Sequence, residues 1–159
     1  MHSMSLLSDL GLGPIDQVSF AVADLEAVLP AYTGIFGPFT TRRVTFDPAL
    51  VSYRGQPARA SLLLAFGRSG DVEIELVQVE AGDAPAAEHV RRHGDGMHHV
   101  RVPVDDVVEA RGRLEAAGFT TVLDGTSPGG SRFAYLEAPD ELGTTMLELL
   151  EQRSQDRPA

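Results

Sequence analysis

Cysteine and lysine are both absent from this chain of 159 residues. Without thiols there is no disulfide, no thiolate nucleophile, no zinc finger and no iron–sulfur cluster, so any metal must be held by oxygen and imidazole. Without a lysine amine, Schiff-base and pyridoxal chemistry are excluded. Positive charge is scarce as well: 13 basic residues, all arginine, stand against 23 acidic ones, for a net charge of −10. A partner bound through its phosphate backbone needs a basic footprint, so no nucleic-acid partner is expected. No apolar run approaches the roughly 20 residues of a membrane span. The start, Met1-His2-Ser3-Met4-Ser5-Leu6-Leu7, has neither the charged nor the long apolar region of a secretory signal. A cytoplasmic location without a membrane partner is the expectation.

What the chain does have is an internal repeat. Ile15-Asp16-Gln17-Val18-Ser19-Phe20-Ala21-Val22-Ala23-Asp24 and Met97-His98-His99-Val100-Arg101-Val102-Pro103-Val104-Asp105-Asp106 share one pattern, an alternating apolar strand followed by an acidic residue before a helical stretch. Each half closes on an acidic strand, Val72–Gln78 and Thr145–Glu151. Gln17 and His99 are 82 residues apart, as are Asp24 and Asp106, whereas Glu75 and Glu148 are separated by 73. The nine-residue difference fits an extra loop around Asp47–Gln56 in the first half.

The periodicity predicts an α+β fold of two tandem βαβββ modules forming a cupped, eight-stranded mixed sheet. A leader (1–13) precedes the first module (14–80), a connecting segment (81–96) with a short helix at about Pro85–Arg92 leads to the second module (97–152), and a polar tail (153–159) follows. Asp24 caps a helix to about Ile35 with Pro30 inside it. Asp106 caps another, with Glu109 as its capping-box partner and Gly118 as terminator. The segment from Asp47 to Pro57 reads as a loop or irregular hairpin.

Strand alternation places Gln17 and Ser19 on one face of the first strand and Glu73, Glu75 and Val77 on one face of Val72–Gln78. A duplicated module brings matching residues around a pseudo-twofold axis, so Gln17, Glu75, His99 and Glu148 form a candidate metal-ligand set. One imidazole and three oxygen donors suit a divalent ion, with Zn, Ni, Co, Mn and Mg all compatible. His98 falls on the opposite face and reads as structural. His89 and His93 are four apart on a helix, but Arg91 and Arg92 beside them would repel a cation, and the pair reads as surface. Arg101 shares the His99 face and is a candidate for an anionic substrate group. Ser19, Tyr53 and Arg132 are further substrate-binding candidates, with Arg54 and Tyr135 as other residues of a pocket wall.

These segments, Ile15-Asp16-Gln17-Val18, Ile74-Glu75-Leu76-Val77-Gln78, Gly96-Met97-His98-His99-Val100 and Met146-Leu147-Glu148-Leu149, resemble the vicinal oxygen chelate superfamily of glyoxalase I, methylmalonyl-CoA epimerase, extradiol dioxygenases, fosfomycin-resistance enzymes and bleomycin-binding proteins. The resemblance runs from about Pro14 to Gln152. Many members carry histidine where this chain has Gln17, and an iron dioxygenase needs two histidines and a carboxylate. A Gln/Glu/His/Glu set as in some glyoxalases is retained, while Gly96–Val100 and Glu148–Gln152 look more like methylmalonyl-CoA epimerases. The resemblance thus implies a homodimeric, metal-dependent epimerase, isomerase or lyase that abstracts a proton next to a carbonyl of a small α-oxygenated or acyl-CoA substrate. Glu148 is the first candidate base, with Glu75 or Glu73 as its partner. A non-catalytic, antibiotic-sequestering module and a glutathione-dependent glyoxalase are the alternatives.

Overall fold

The computed structural model describes Leu10 and residues 12–152. Most of the expected leader and all of the expected tail lie outside the described residues. In chain order the elements are β1 (Gln17–Ala21), α1 (Leu25–Phe36), β2 (Thr40–Thr45), β3 (Val51–Tyr53), β4 (Gln56–Pro57), β5 (Ala60–Ser69), β6 (Val72–Gly82), α2 (Pro85–His93), β7 (Gly96–Val104), α3 (Val107–Ala116), β8 (Thr120–Thr126), β9 (Arg132–Glu137) and β10 (Met146–Glu151), with a 3₁₀ turn at Asp140–Leu142 before the last strand.

Local chemistry sets the helix starts. Asp24 accepts the Ala27 N–H at 3.1 Å and Asp106 the Glu109 N–H at 3.0 Å, each satisfying a donor that the first helical turn leaves open. The capping box at α3 is only half made, because the Glu109 carboxylate pairs with Arg113 one turn on. Pro85 opens α2 at the position where its missing N–H costs nothing. No helix among the described residues is long and apolar enough to cross a membrane.

The strands form one mixed sheet of ten rather than the expected eight, in the order β2-β5-β6-β1-β7-β10-β9-β8-β3-β4, curled into a half-barrel. The two extra strands come from the inserted segment. After β2 at one edge of the sheet, the chain crosses the cup and adds β3 antiparallel to β8 at the far edge, pairing Val51 with Gly125 and Tyr53 with Leu123. Gly125 makes that approach feasible, since a Cβ there would lie 2.5 Å from the Leu50 carbonyl oxygen.

Apolar faces then place the helices. On the outer face, α1 covers Leu63, Ala65 and Leu76, and α3 packs Val107, Ala110 and Leu114 against Val102, Leu136 and Leu149. On the cup side, Ala84 and Ala86 at the start of α2 pack on Ala21, Leu62, Leu64 and Val77. A fourth cluster of Val51, Ala58 and Leu123, flanked by Phe46, Phe133 and Tyr135, ties the inserted hairpin to the second half.

At the centre, β1 and β7 run antiparallel with Val18 opposite Val100, and each has a parallel neighbour, β6 beside β1 and β10 beside β7. The β1–β7 register steps from Ser19↔His99 to Phe20↔Met97, which leaves His98 as the extra residue of a β-bulge.

Candidate metal and proton-transfer site

Four central strands carry polar side chains into the cup. Gln17 and Ser19 come from β1, Glu73 and Glu75 from β6, His98, His99 and Arg101 from β7, and Glu148 from β10. Burial is nearly complete for Gln17 and His99, at 1% and 2% exposed, and Glu75 and Glu148 retain 7% each. Buried polar groups of this kind persist only when each has a partner, and the partners here define the site.

Three oxygens meet one nitrogen. His99 Nε2 lies 3.0 Å from Gln17 Oε1, 3.0 Å from Glu148 Oε2 and 3.6 Å from Glu75 Oε2. The four residues expected to act together are therefore brought together. Each is also held from behind. The Gln17 amide donates to Glu73 Oε1 at 2.7 Å, which turns Gln17 Oε1 towards His99. Ser19 Oγ donates to Glu75 Oε2 at 2.7 Å, Tyr135 stands opposite Glu148 across the β9–β10 pair, and His98 Nδ1 stands 3.0 Å from His99 Nδ1.

The electrostatics follow from burial. Removal from water pushes the Glu75 carboxyl above the ordinary carboxylate range, and the Glu148 charge adds to this while His99, Ser19 and Arg101 oppose it. Burial likewise raises Tyr135 well above a normal phenol, with Glu148 and Glu75 contributing. Burial alone would lower the Arg101 guanidinium, but its hydrogen bond to Asp16 and the charges of Glu148, Asp16 and Glu73 leave it raised. Arg101 binds Asp16 at 2.8 and 3.2 Å and lies 3.6 Å from Glu73, so its charge is already shared among carboxylates.

No group of three or more His, Cys, Asp or Glu among the described residues is spread as a ready metal cage. The donors instead close on one another around His99 Nε2. Their chemistry nonetheless fits a divalent ion: a single hydrogen on Nε2 cannot serve three oxygens at once, and two buried carboxylates, from β6 and β10, converge on it. Gln17, Glu75, His99 and Glu148 are the residues that would hold it.

The remaining candidates are placed differently. Tyr53 hydrogen-bonds Glu88, and Arg54 pairs with Glu88 and Glu137, so both clasp the inserted hairpin to α2 and β9, while Arg132 is exposed at the start of β9. None of the three lines the cavity that opens on His99. His89 and His93 lie on α2 with their rings 5.2 Å apart, and the His89 ring reaches His98 at 5.3 Å. Strict alternation puts His98 on the outer face; the bulge turns it into the cup beside His99, where it is 4% exposed.

The cavity measures about 900 Å³. Phe46, Leu62, Leu64, Phe66, Phe133 and Leu150 give it apolar walls, and Thr40–Val44 of edge strand β2 form part of its rim. This wall has no signature of its own in the sequence. Phe66 enters it because the β5–β6 register sets it directly beside Glu75.

A family model described as the glyoxalase/bleomycin resistance protein/dioxygenase superfamily matches residues 16–135. Among curated proteins none matches the chain. Solved structures similar to it include a hypothetical protein from Bacillus halodurans (22% identity, 91% of this chain and 98% of that one, TM-score 0.63). A methylmalonyl-CoA epimerase of Streptomyces coelicolor in complex with 2-nitronate-propionyl-CoA is similar at 22% identity, over 92% and 99% of the two chains, with a TM-score of 0.60. The methylmalonyl-CoA epimerase of Mycobacterium tuberculosis is similar at 22% identity, over 98% and 95%, with a TM-score of 0.58. At these identities the likeness is one of fold.

Proposed function

The chain belongs to the glyoxalase/bleomycin resistance protein/dioxygenase superfamily, and from that premise we propose that it is a divalent-metal-dependent epimerase or isomerase, or a lyase, removing a proton next to a carbonyl of a small α-oxygenated or acyl-CoA substrate. The observation that carries the reading is the convergence of Gln17, Glu75 and Glu148 on His99 Nε2 at the floor of the cavity.

A divalent ion bound there would polarise the substrate's oxygens and make the neighbouring C–H more acidic. The chain's own groups do the rest. Glu75 and Glu148 reach the centre from β6 and β10, on opposite sides of the β1–β7 pair, which suits a reaction that takes a proton from one face and returns it to the other. Burial raises the proton affinity of the Glu75 carboxyl, bringing it nearer to that of a group that accepts a proton and gives it back. Ser19 fixes one Glu75 oxygen, and Tyr135 stands opposite Glu148 on the neighbouring strand. The apolar walls exclude water from the reacting carbon and receive the substrate's hydrocarbon part. The proposal includes a homodimer in the cytoplasm.

The test is elemental analysis of purified, metal-reconstituted protein with His99→Ala and Glu148→Ala as controls, followed by solvent deuterium exchange into a panel of acyl-CoA thioesters and 2-oxygenated acids. One metal per chain, lost in both variants, together with exchange at the carbon next to the carbonyl, is expected. No metal in the wild type sinks the reading. Metal without exchange across the panel, with tight retention of apolar ligands, would move the assignment to a sequestering module.

A further inference from the structure

The Nδ1 atoms of His98 and His99 are 3.0 Å apart, both rings being buried. Two bare nitrogens at that distance would set lone pair against lone pair, and two N–H groups would collide. One ring therefore donates and the other accepts. A metal held by His99 Nε2 needs that nitrogen bare, which puts the hydrogen of His99 on Nδ1, pointing at a bare Nδ1 of His98. The hydrogen of a neutral His98 then lies on Nε2, which is fully buried and makes no hydrogen bond.

We propose that His98 is the positioning residue of the site, accepting the His99 Nδ1–H so that the lone pair of His99 Nε2 is turned to the point where Gln17, Glu75 and Glu148 converge. A ligating imidazole is generally fixed in this way through its other nitrogen, most often by a carboxylate or a carbonyl. Here the acceptor is a second histidine that only the β-bulge brings to that face. The His89 ring meets His98 edge-on at 5.3 Å and Tyr135 stacks at 6.4 Å, fixing its plane. Glu73 does for Gln17 what His98 does for His99, so the two residues at matching repeat positions are each oriented by a neighbour of different chemistry.

The inference rests on the metal reading above, and its test separates the two. Zinc affinity of the full chain is measured by competition with a chromophoric chelator for the wild type, His98→Leu and His98→Asn. Leucine fills the space without an acceptor; the asparagine oxygen occupies the place of Nδ1 and keeps one. We expect His98→Leu to bind zinc about 10–100-fold more weakly and His98→Asn to recover most of that loss. Wild-type affinity in His98→Leu, or an Asn variant no better than Leu, overturns the proposal. Long-range ¹H–¹⁵N spectra of the zinc-loaded wild type provide a second readout that needs no variant. His98 should show a bare Nδ1 and a protonated Nε2, with hydrogen on His99 Nδ1, and the opposite tautomer of His98 overturns the proposal. If the wild type takes up no zinc, the metal reading and this proposal fail together, whereas zinc uptake left unchanged by His98→Leu overturns this proposal alone.

Discussion

Val18 and Val100 face each other across the central antiparallel pair and are also counterparts in the repeat, 82 residues apart in the chain. The local twofold axis therefore passes between them. Around it, Gln17 next to Glu73 corresponds to His99 next to Met146, and Ser19 next to Glu75 corresponds to Arg101 next to Glu148. The backbone symmetry is kept while the chemistry is broken. One half supplies an amide held by a carboxylate, and the other supplies an imidazole that must look elsewhere, to His98, for its support.

Glu73 tests that asymmetry. Because it holds the Gln17 amide with its oxygen towards His99, Glu73→Ala should weaken metal binding by roughly tenfold and leave deuterium exchange at saturating metal largely intact. Chelator competition and exchange measured on the same preparation check this. Lost exchange with unchanged metal affinity would instead make Glu73 the group that handles the proton.

Glu88 predicts a pH dependence. Its carboxyl is lowered by the Tyr53 hydrogen bond above all, then by Arg54 and Arg92, from an ordinary value of 4.5. A lowered folded-state value favours the native carboxylate, so its contribution is present above that ordinary value and is lost as pH falls through the lowered one. Glu88→Gln should therefore cost about 1 kcal/mol at neutral pH, and the gap to wild type should close towards acid. Urea midpoints of both proteins at neutral pH and near pH 3 decide it, and a gap that widens in acid would contradict the assignment.

Gly125 governs the attachment of the inserted hairpin. An alanine Cβ would lie 2.5 Å from Leu50 O and 2.9 Å from Val51 Cα, backbone atoms that cannot swing aside. Gly125→Ala should lose about 1–3 kcal/mol and loosen β3 from β8, seen as faster amide exchange at Val51 and Tyr53. Unchanged protection there would mean the two strands part without cost.

Leu149 and Leu150 are chain neighbours with opposite tasks. Leu149 is fully buried against α3, whereas Leu150 lines the cavity. Leu149→Ala should cost about 2–5 kcal/mol, measured by denaturant unfolding. Leu150→Ala should cost clearly less while shifting preference towards bulkier substrates or ligands, and equal losses from the two would refute this division.

Several features were legible without coordinates because they are local. Asp24 and Asp106 cap helices through their own side chains three residues on, and the alternation in Val72–Gln78 correctly separates Glu73 and Glu75 from Ile74 and Leu76. The Glu109 half of the second cap fails for a reason equally local, the competing Arg113 one turn away. Other features depend on partners distant in the chain. Nothing around Val51 indicates that it pairs with Gly125, and nothing in Met97-His98-His99-Val100 marks a bulge, because a bulge is a mismatch between two strands and belongs to neither alone.

The amino-acid sequence by itself determined the chemical alphabet of this protein: no thiol, no lysine amine, one repeat, and Gln17, Glu75, His99 and Glu148 at matching places within it. Side-chain period and repeat offset are properties of a single strand of text, so they survive without folding. The tertiary structure alone decided which oxygens meet His99 Nε2, that Glu73, Ser19, Tyr135 and His98 stand behind the four, and that the sheet has ten strands. Those outcomes are set by cross-strand register and burial, where one extra residue between Met97 and His99 reverses the direction in which a side chain points.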